Sequence, residues 1–220
     1  MKFRAIFKLM AFTSVVIVSN PSWAEENQEV TIDGLHLVKN SNLTLVYAEP
    51  GVDLSQYQRI YLSDAYIAFK KHWRRTQNNS HSDNVSIEDM EKIRAELSLL
   101  FRDVFSKTLE DGGYQLVTER DQDVLLIKPA IINLDIVAPD TRSATQMTSF
   151  AQSAGEMTLY LELYDSMTGD LIAKALDRQE DRQTGYFQWQ NRVSNRAAAN
   201  RILQVWANVL KEGLDQAQSP

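Results

Sequence analysis

Between Met157 and Tyr164 the chain alternates, with Met157, Leu159, Leu161 and Leu163 set against Thr158, Tyr160, Glu162 and Tyr164. Successive side chains of a strand point to opposite faces, so this period predicts a strand with one fully buried face. Asp165 to Asp170 follows, with Gly169 placed for a positive φ, and predicts a hairpin loop leading to a partner strand over Leu171 to Arg178. Earlier, the branched and aromatic content of Leu43 to Ala48 predicts a strand, closed by Pro50-Gly51. A second is expected from Arg59 to Ser63, extending toward Phe69. Residues 74 to 85 contain almost nothing apolar and read as a loop. Ser86 with Asp89 then forms a variant capping box. Met90, Ile93, Leu97, Leu100, Phe101, Val104 and Phe105 follow at helical spacing, until Gly112-Gly113 ends the helix. Tyr114 to Thr118 reads as a short strand and Val124 to Val137 as a long one, in which Pro129 implies an edge position or a bulge. From Asn195 onward Ile202, Val205, Trp206 and Val209 mark a last helix.

The resulting order is two strands, a helix, four strands and a helix. Helices with a single apolar stripe must bury it on a sheet face, so the expected fold class is α+β. It is read as a single layer of mainly antiparallel sheet with two long amphipathic helices packed on it. No internal repeat interrupts the chain, and residues 43 to 220 read as a single α+β domain. Residues 25 to 42 read as a loosely ordered leader.

The first 24 residues follow a different pattern. Lys2, Arg4 and Lys8 precede a largely apolar run from Leu9 to Val18, Pro21 breaks it, and Ser22-Trp23-Ala24 puts small residues where a signal peptidase reads them. Ten helical residues reach roughly 15 Å, about half of a bilayer core of roughly 30 Å. The segment therefore reads as a secretory signal peptide over residues 1 to 24, cleaved after Ala24, and the expected location is periplasmic. Removing three basic residues leaves 20 Lys plus Arg against 29 Asp plus Glu, a formal charge of −9 for the remaining chain. That balance argues against general nucleic-acid binding, which needs a basic footprint. The chain has no cysteine, so disulfides and thiolate chemistry are excluded.

Several stretches together resemble one bacterial family of exported, often lipidated envelope proteins, the domain-of-unknown-function 3313 family. They are Asp33-Gly-Leu; Tyr47-Ala-Glu-Pro-Gly-Val-Asp53 with Tyr57; Asp123 to Ile131 with Ala138-Pro-Asp140; Ser153 to Gly169; and the closing helix with Trp206-Ala207. The resemblance implies an envelope location and an α/β build, and brings no activity, cofactor or catalytic residue. Lipidated relatives carry a cysteine at the cleavage site, so no covalent lipid anchor is expected here.

Candidate chemistry is sparse. No phosphate-cradling glycine loop, nucleophile elbow or metal-spaced histidine pair is present, and neither a metal nor a cofactor is expected. His36, His72 and His81 read as surface histidines. Glu162, Asp165, Asp170, Asp177, Glu180 and Asp181 gather on or near one hairpin, where paired carboxylates could act on glycosidic bonds. Acids at such places more often cap turns or solvate a surface. Phe69 to Arg75 concentrates cations and aromatics in an acidic chain. Lys70, Lys71, Trp73, Arg74 and Arg75 therefore form a candidate anion-binding patch, with Trp73 either an interfacial anchor or packed inward. Tyr186, Phe187 and Trp189 form a candidate partner-contact loop. The leading expectation is a non-enzymatic periplasmic binding or assembly module of the bacterial envelope, whose partner is an envelope protein or glycan. The alternatives are a hydrolase acting on an envelope glycan through paired carboxylates and a peripheral binder of anionic lipid or lipopolysaccharide through residues 69 to 75.

Overall fold

The computed structural model describes residues 29 to 80, 84 to 136, 149 to 151, 153 to 182, 188 to 190 and 192 to 218. Along these the chain forms β1 (His36–Leu37), β2 (Leu45–Ala48), a 3-10 turn (Leu54–Gln56), β3 (Arg59–Leu62), β4 (Tyr66–Phe69), α1 (Trp73–Ser80) and α2 (Ile87–Asp111). It continues with β5 (Gln115–Leu116), β6 (Val124–Ile136), β7 (Ser149–Ala151), β8 (Ser153–Asp165), β9 (Leu171–Arg182), β10 (Gln188–Gln190) and α3 (Arg192–Gln218). Eight strands make one sheet in the order β1-β2-β9-β8-β6-β3-β5, with β4 also paired to β6. β7 and β10 form a separate two-stranded ribbon.

The α+β class holds, but the sheet is mixed rather than mainly antiparallel, and three helices are described instead of two. β3 runs parallel to both β5 and β6, and β4 runs parallel to β6, while β6, β8, β9, β2 and β1 pair antiparallel. The reason is the connection: α1 and α2 lie between β4 and β6, and a helical crossover returns the chain to the end from which it started. The third helix is α1, which occupies part of the stretch read as a loop. Trp73 and Gln77 stand one helical turn apart and are only 3% and 8% exposed. Burial of that face therefore overrides the weak helix propensity of the polar sequence.

Pro129 lies in the central strand β6, at neither an edge nor a bulge. β3 pairs with residues up to Ile127 and β4 takes over from Ala130. The Ile127 carbonyl accepts from Ser63 N–H on the β3 side. The nitrogen of Pro129, two residues on, faces the same side. There one neighbour has ended and the next has not begun, so the missing N–H leaves no partner unserved. The register irregularity in β6 falls later, between Ile132 and Asp135.

One face of the sheet carries the core. Leu125, Ile127, Ile131, Leu159, Leu161 and Leu163 from β6 and β8 meet Phe101, Phe105 and Leu109 of α2 and Leu203, Trp206 and Ala207 of α3. Phe101 and Phe105 stack at 3.9 Å between ring centroids. α2 begins with the expected box: Ser86 Oγ accepts from Asp89 N–H, and the Asp89 carboxylate accepts from Ser86 N–H. Residues 29 to 42 carry β1 and bury Leu35, and Asp33 pairs with Lys174 of β9 at 2.5 Å. No described helix is long and apolar enough to cross a membrane.

Candidate functional site

The face of the sheet opposite the helices is built by the polar half of the β8 alternation. Tyr160, Glu162 and Tyr164 share this face, and the two phenols donate to the two oxygens of Glu162 at 2.7 and 2.8 Å. Burial, then the bond to Glu162, pushes both phenols up, Tyr164 to about 12, so they remain protonated donors at any physiological pH. Register extends the row sideways. Lys128 of β6 stands opposite Glu162, Lys174 of β9 opposite it on the other side, and Tyr47 of β2 opposite Lys174. The Lys128 ammonium lies 4.1 Å from the centre of the Tyr164 ring. Chemically the row is a set of pinned aromatic rings and held charges. It presents no free base.

The described hairpin carboxylates do not all share one site. Asp165 accepts from Met167 and Thr168 N–H at 2.8 Å and from Tyr57 O–H at 2.9 Å. The Thr168 backbone bond, against burial and with help from Tyr57, holds its carboxyl below the usual range. Gly169 has φ 77°, as the loop requires. Asp177 points to the opposite face. It is 4% exposed and accepts from Thr44 N–H (3.0 Å), Thr44 O–H (2.6 Å), Gln179 Nε2 (2.8 Å) and Trp206 Nε1 (2.7 Å). Burial alone would raise its pKa, but these donors together outweigh it and hold the carboxyl low. Asp170 is exposed at the turn and Glu180 is exposed on β9. The side chain of Asp181 lies outside the described residues. A general acid on a glycosidic bond needs a raised pKa; Asp165 and Asp177 are shifted the other way.

A second polar cluster sits where β6 and β8 fall out of register. Gly155 takes φ 143°, and a Cβ there would lie 2.3 Å from the Asp135 carbonyl oxygen. Glu156, next in the chain, is bonded by Arg178 and by Lys70, and Lys70 also reaches Asp135 at 2.8 Å. Arg178 first, and Lys70 after burial's opposing effect, hold the Glu156 carboxyl low. This cluster fixes the end of β4 and the start of α1.

The candidate anion-binding patch is thereby divided. Trp73 is buried, stacks on Phe69 at 4.3 Å and donates its indole N–H to the Ile136 carbonyl at 3.3 Å, so it is not an interfacial anchor. Lys70 is engaged with Asp135 and Glu156. Lys71, Arg74 and Arg75 are exposed. Of the candidate partner-contact loop, Tyr186 and Phe187 lie outside the described residues, and Trp189 stands on β10 opposite Phe150 of β7. His36 and His72 are exposed, while His81 lies outside the described residues. Among the described residues no group of three His, Asp or Glu is placed to hold a metal ion.

The Tyr–Glu–Tyr row and the Asp177 anchor were missed from the sequence. The alternation does place Tyr160, Glu162 and Tyr164 on one face. Nothing in it reveals that Lys128 and Lys174 flank them, because that depends on strand register.

No protein with a curated function matches the sequence. Among solved structures the chain is similar to the PelC dodecamer from Paraburkholderia phytofirmans, with 10% identity over 76% of this chain and 96% of that one and a TM-score of 0.39. It is also similar to a minor lipoprotein from Acinetobacter baumannii, with 11% identity, 71% and 94% covered, and a TM-score of 0.32. A DUF4136 family protein from Bacteroides thetaiotaomicron shows 12% identity, 79% and 95% covered, and a TM-score of 0.34. Likenesses of this size carry no functional conclusion for the chain. The family match is of another kind, since one family model spans residues 34–210 and so takes in the Tyr–Glu–Tyr row, the hairpin, the register break and most of α3: the chain belongs to the family described as protein of unknown function (DUF3313).

Proposed function

We propose that this chain is a non-enzymatic binding or assembly module of the bacterial envelope, exported through its first 24 residues and processed after Ala24, with an envelope protein or glycan as partner. One observation supports the non-enzymatic part: three of the hairpin carboxylates that a hydrolase would draw on, Glu162, Asp165 and Asp177, are already committed as structural acceptors. Glu162 holds two tyrosines, Asp165 holds the hairpin and Tyr57, and Asp177 anchors Thr44, Gln179 and Trp206. Glu162 and Asp177 also lie on opposite faces of the sheet, so they cannot flank one glycosidic bond. The amino-terminal charge pattern and short apolar run support export.

The test is to incubate the processed chain, and its Glu162→Gln and Asp165→Asn variants, with purified cell-wall sacculi and to follow newly released reducing ends. The proposal expects no release above buffer from any of them. Release by the parent chain that disappears in either variant would establish the hydrolase instead. Edman sequencing of the periplasmic form should begin at Glu25.

A further inference from the structure

We propose that the outer surface of α1, through Lys71, Arg74 and Arg75, is a docking site for an anionic phospholipid surface. The inference goes beyond the binding reading above, which leaves the membrane unassigned.

Three observations converge on it. First, the three cations are exposed, and among the described residues their side chains form no ion pair, whereas the neighbouring Lys70 and Arg178 are neutralised by Asp135 and Glu156. The α1 sequence, WRRTQNNS, holds no acidic residue to offset them. Second, the support under them is rigid. Trp73 is packed on Phe69 and tied to Ile136, Lys70 N–H donates to the Leu134 carbonyl, and the Asn78 side chain clamps both backbone groups of Val85, just ahead of α2. Third, positive charge gathered about a helix start opposes the helix dipole and lowers stability. A placement that weakens the element it sits on is better explained by a partner than by the fold.

The chemistry of the surface decides between partners. A protein interface needs an apolar or aromatic centre that can be desolvated, and the only apolar residue of α1, Trp73, is buried. A layer of phosphate headgroups asks only for cations and hydrogen-bond donors. The net negative charge of the whole chain does not forbid such contact, since charges beyond about 8 Å are screened at physiological salt. Each cation near an anionic surface is worth about fivefold in partitioning, so the three together contribute about a hundredfold. Trp73 adds no insertion, so the contact is shallow and sensitive to salt.

The experiment is co-flotation of the processed chain with vesicles of phosphatidylcholine alone or of equimolar phosphatidylcholine and phosphatidylglycerol, at low and at raised salt. Binding is expected only to the anionic vesicles, with loss at raised salt. The variant Lys71→Gln/Arg74→Gln/Arg75→Gln should lose it by about a hundredfold with an unchanged circular dichroism spectrum. The variant Lys107→Gln/Arg120→Gln/Arg196→Gln removes the same charge from exposed cations elsewhere and should retain it. Equal loss in both triple variants, or no binding to anionic vesicles at low salt, overturns the proposal. Absence of vesicle binding together with displacement of the chain from an anion-exchange-purified acidic protein fraction only when residues 71 to 75 are intact would assign the patch to a protein and overturn it as well. A failure here leaves the sacculus and partner experiments unaffected, so the two readings stand or fall separately.

Discussion

Replacing Asp177 by Asn tests whether one buried carboxylate joins the start of β2, β9 and α3 into a unit. The substitution keeps size and shape while exchanging one acceptor oxygen for a donor nitrogen. In one orientation the new amide nitrogen faces Trp206 Nε1 and Gln179 Nε2; in the other it faces Thr44 N–H. Gln179 can re-aim its amide, but the Trp206 indole is fully buried and cannot reach water. A hydrogen bond to a charged group contributes about 1.5–3 kcal/mol, and a buried donor left unserved costs about 1–3 kcal/mol. Because these describe largely the same loss, the expected destabilisation is about 3 kcal/mol. Equilibrium denaturant unfolding, with parent and variant compared at matched slope, measures it. Trp206→Phe removes the donor itself, so in that background Asp177→Asn should cost at least about 1 kcal/mol less. A variant within about 0.5 kcal/mol of the parent, or an identical cost in both backgrounds, would refute the reasoning.

Three further outcomes follow from the same structure. The Asp177 carboxyl is held below its unfolded value of about 3.9, so its contribution is fully present above that value and is lost as pH falls through the folded pKa. The stability gap between parent and Asp177→Asn should therefore narrow on acidification below about pH 4, and a gap that widens there contradicts the assignment. Gly155→Ala should destabilise by more than about 2 kcal/mol, since its Cβ would meet the Asp135 carbonyl at 2.3 Å in a backbone conformation that L residues avoid; thermal unfolding measures this. Ser86→Ala removes the α2 cap and should cost about 1 kcal/mol, read from the same melts.

The legible part of this fold was the part governed by local periodicity. The alternation in β8 separates Leu159, Leu161 and Leu163 from Tyr160, Glu162 and Tyr164, and burial follows it. Ser86 with Asp89 caps α2, and Gly169 adopts its positive φ. What escaped depended on partners distant in sequence. The parallel pairing of β3 and β4 with β6 shows in no residue of those strands, only in the crossover that joins them. Pro129 indicated an interruption of pairing, yet whether that meant an edge or a gap between two neighbours required knowing where β3 ends. α1 was hidden because its sequence is polar, and a single buried Trp73 supplies most of the reason for it to fold. The candidate site followed the same division: cations and aromatics could be picked out at 69 to 75, but which were exposed depended on Phe69, Asp135, Ile136 and Glu156. Asp177 read as one more hairpin acid until register set it beside Trp206.

The central claim, that the chain works by binding in the envelope, is tested most directly by cross-linking in living cells with a photoreactive residue in place of Lys128, exposed on the sheet face opposite the helices, and in place of the exposed Arg102 of α2 as a control. The account predicts a discrete adduct with one envelope component from the Lys128 position and none from the Arg102 position. Recovery of only the bare chain from both positions would contradict it.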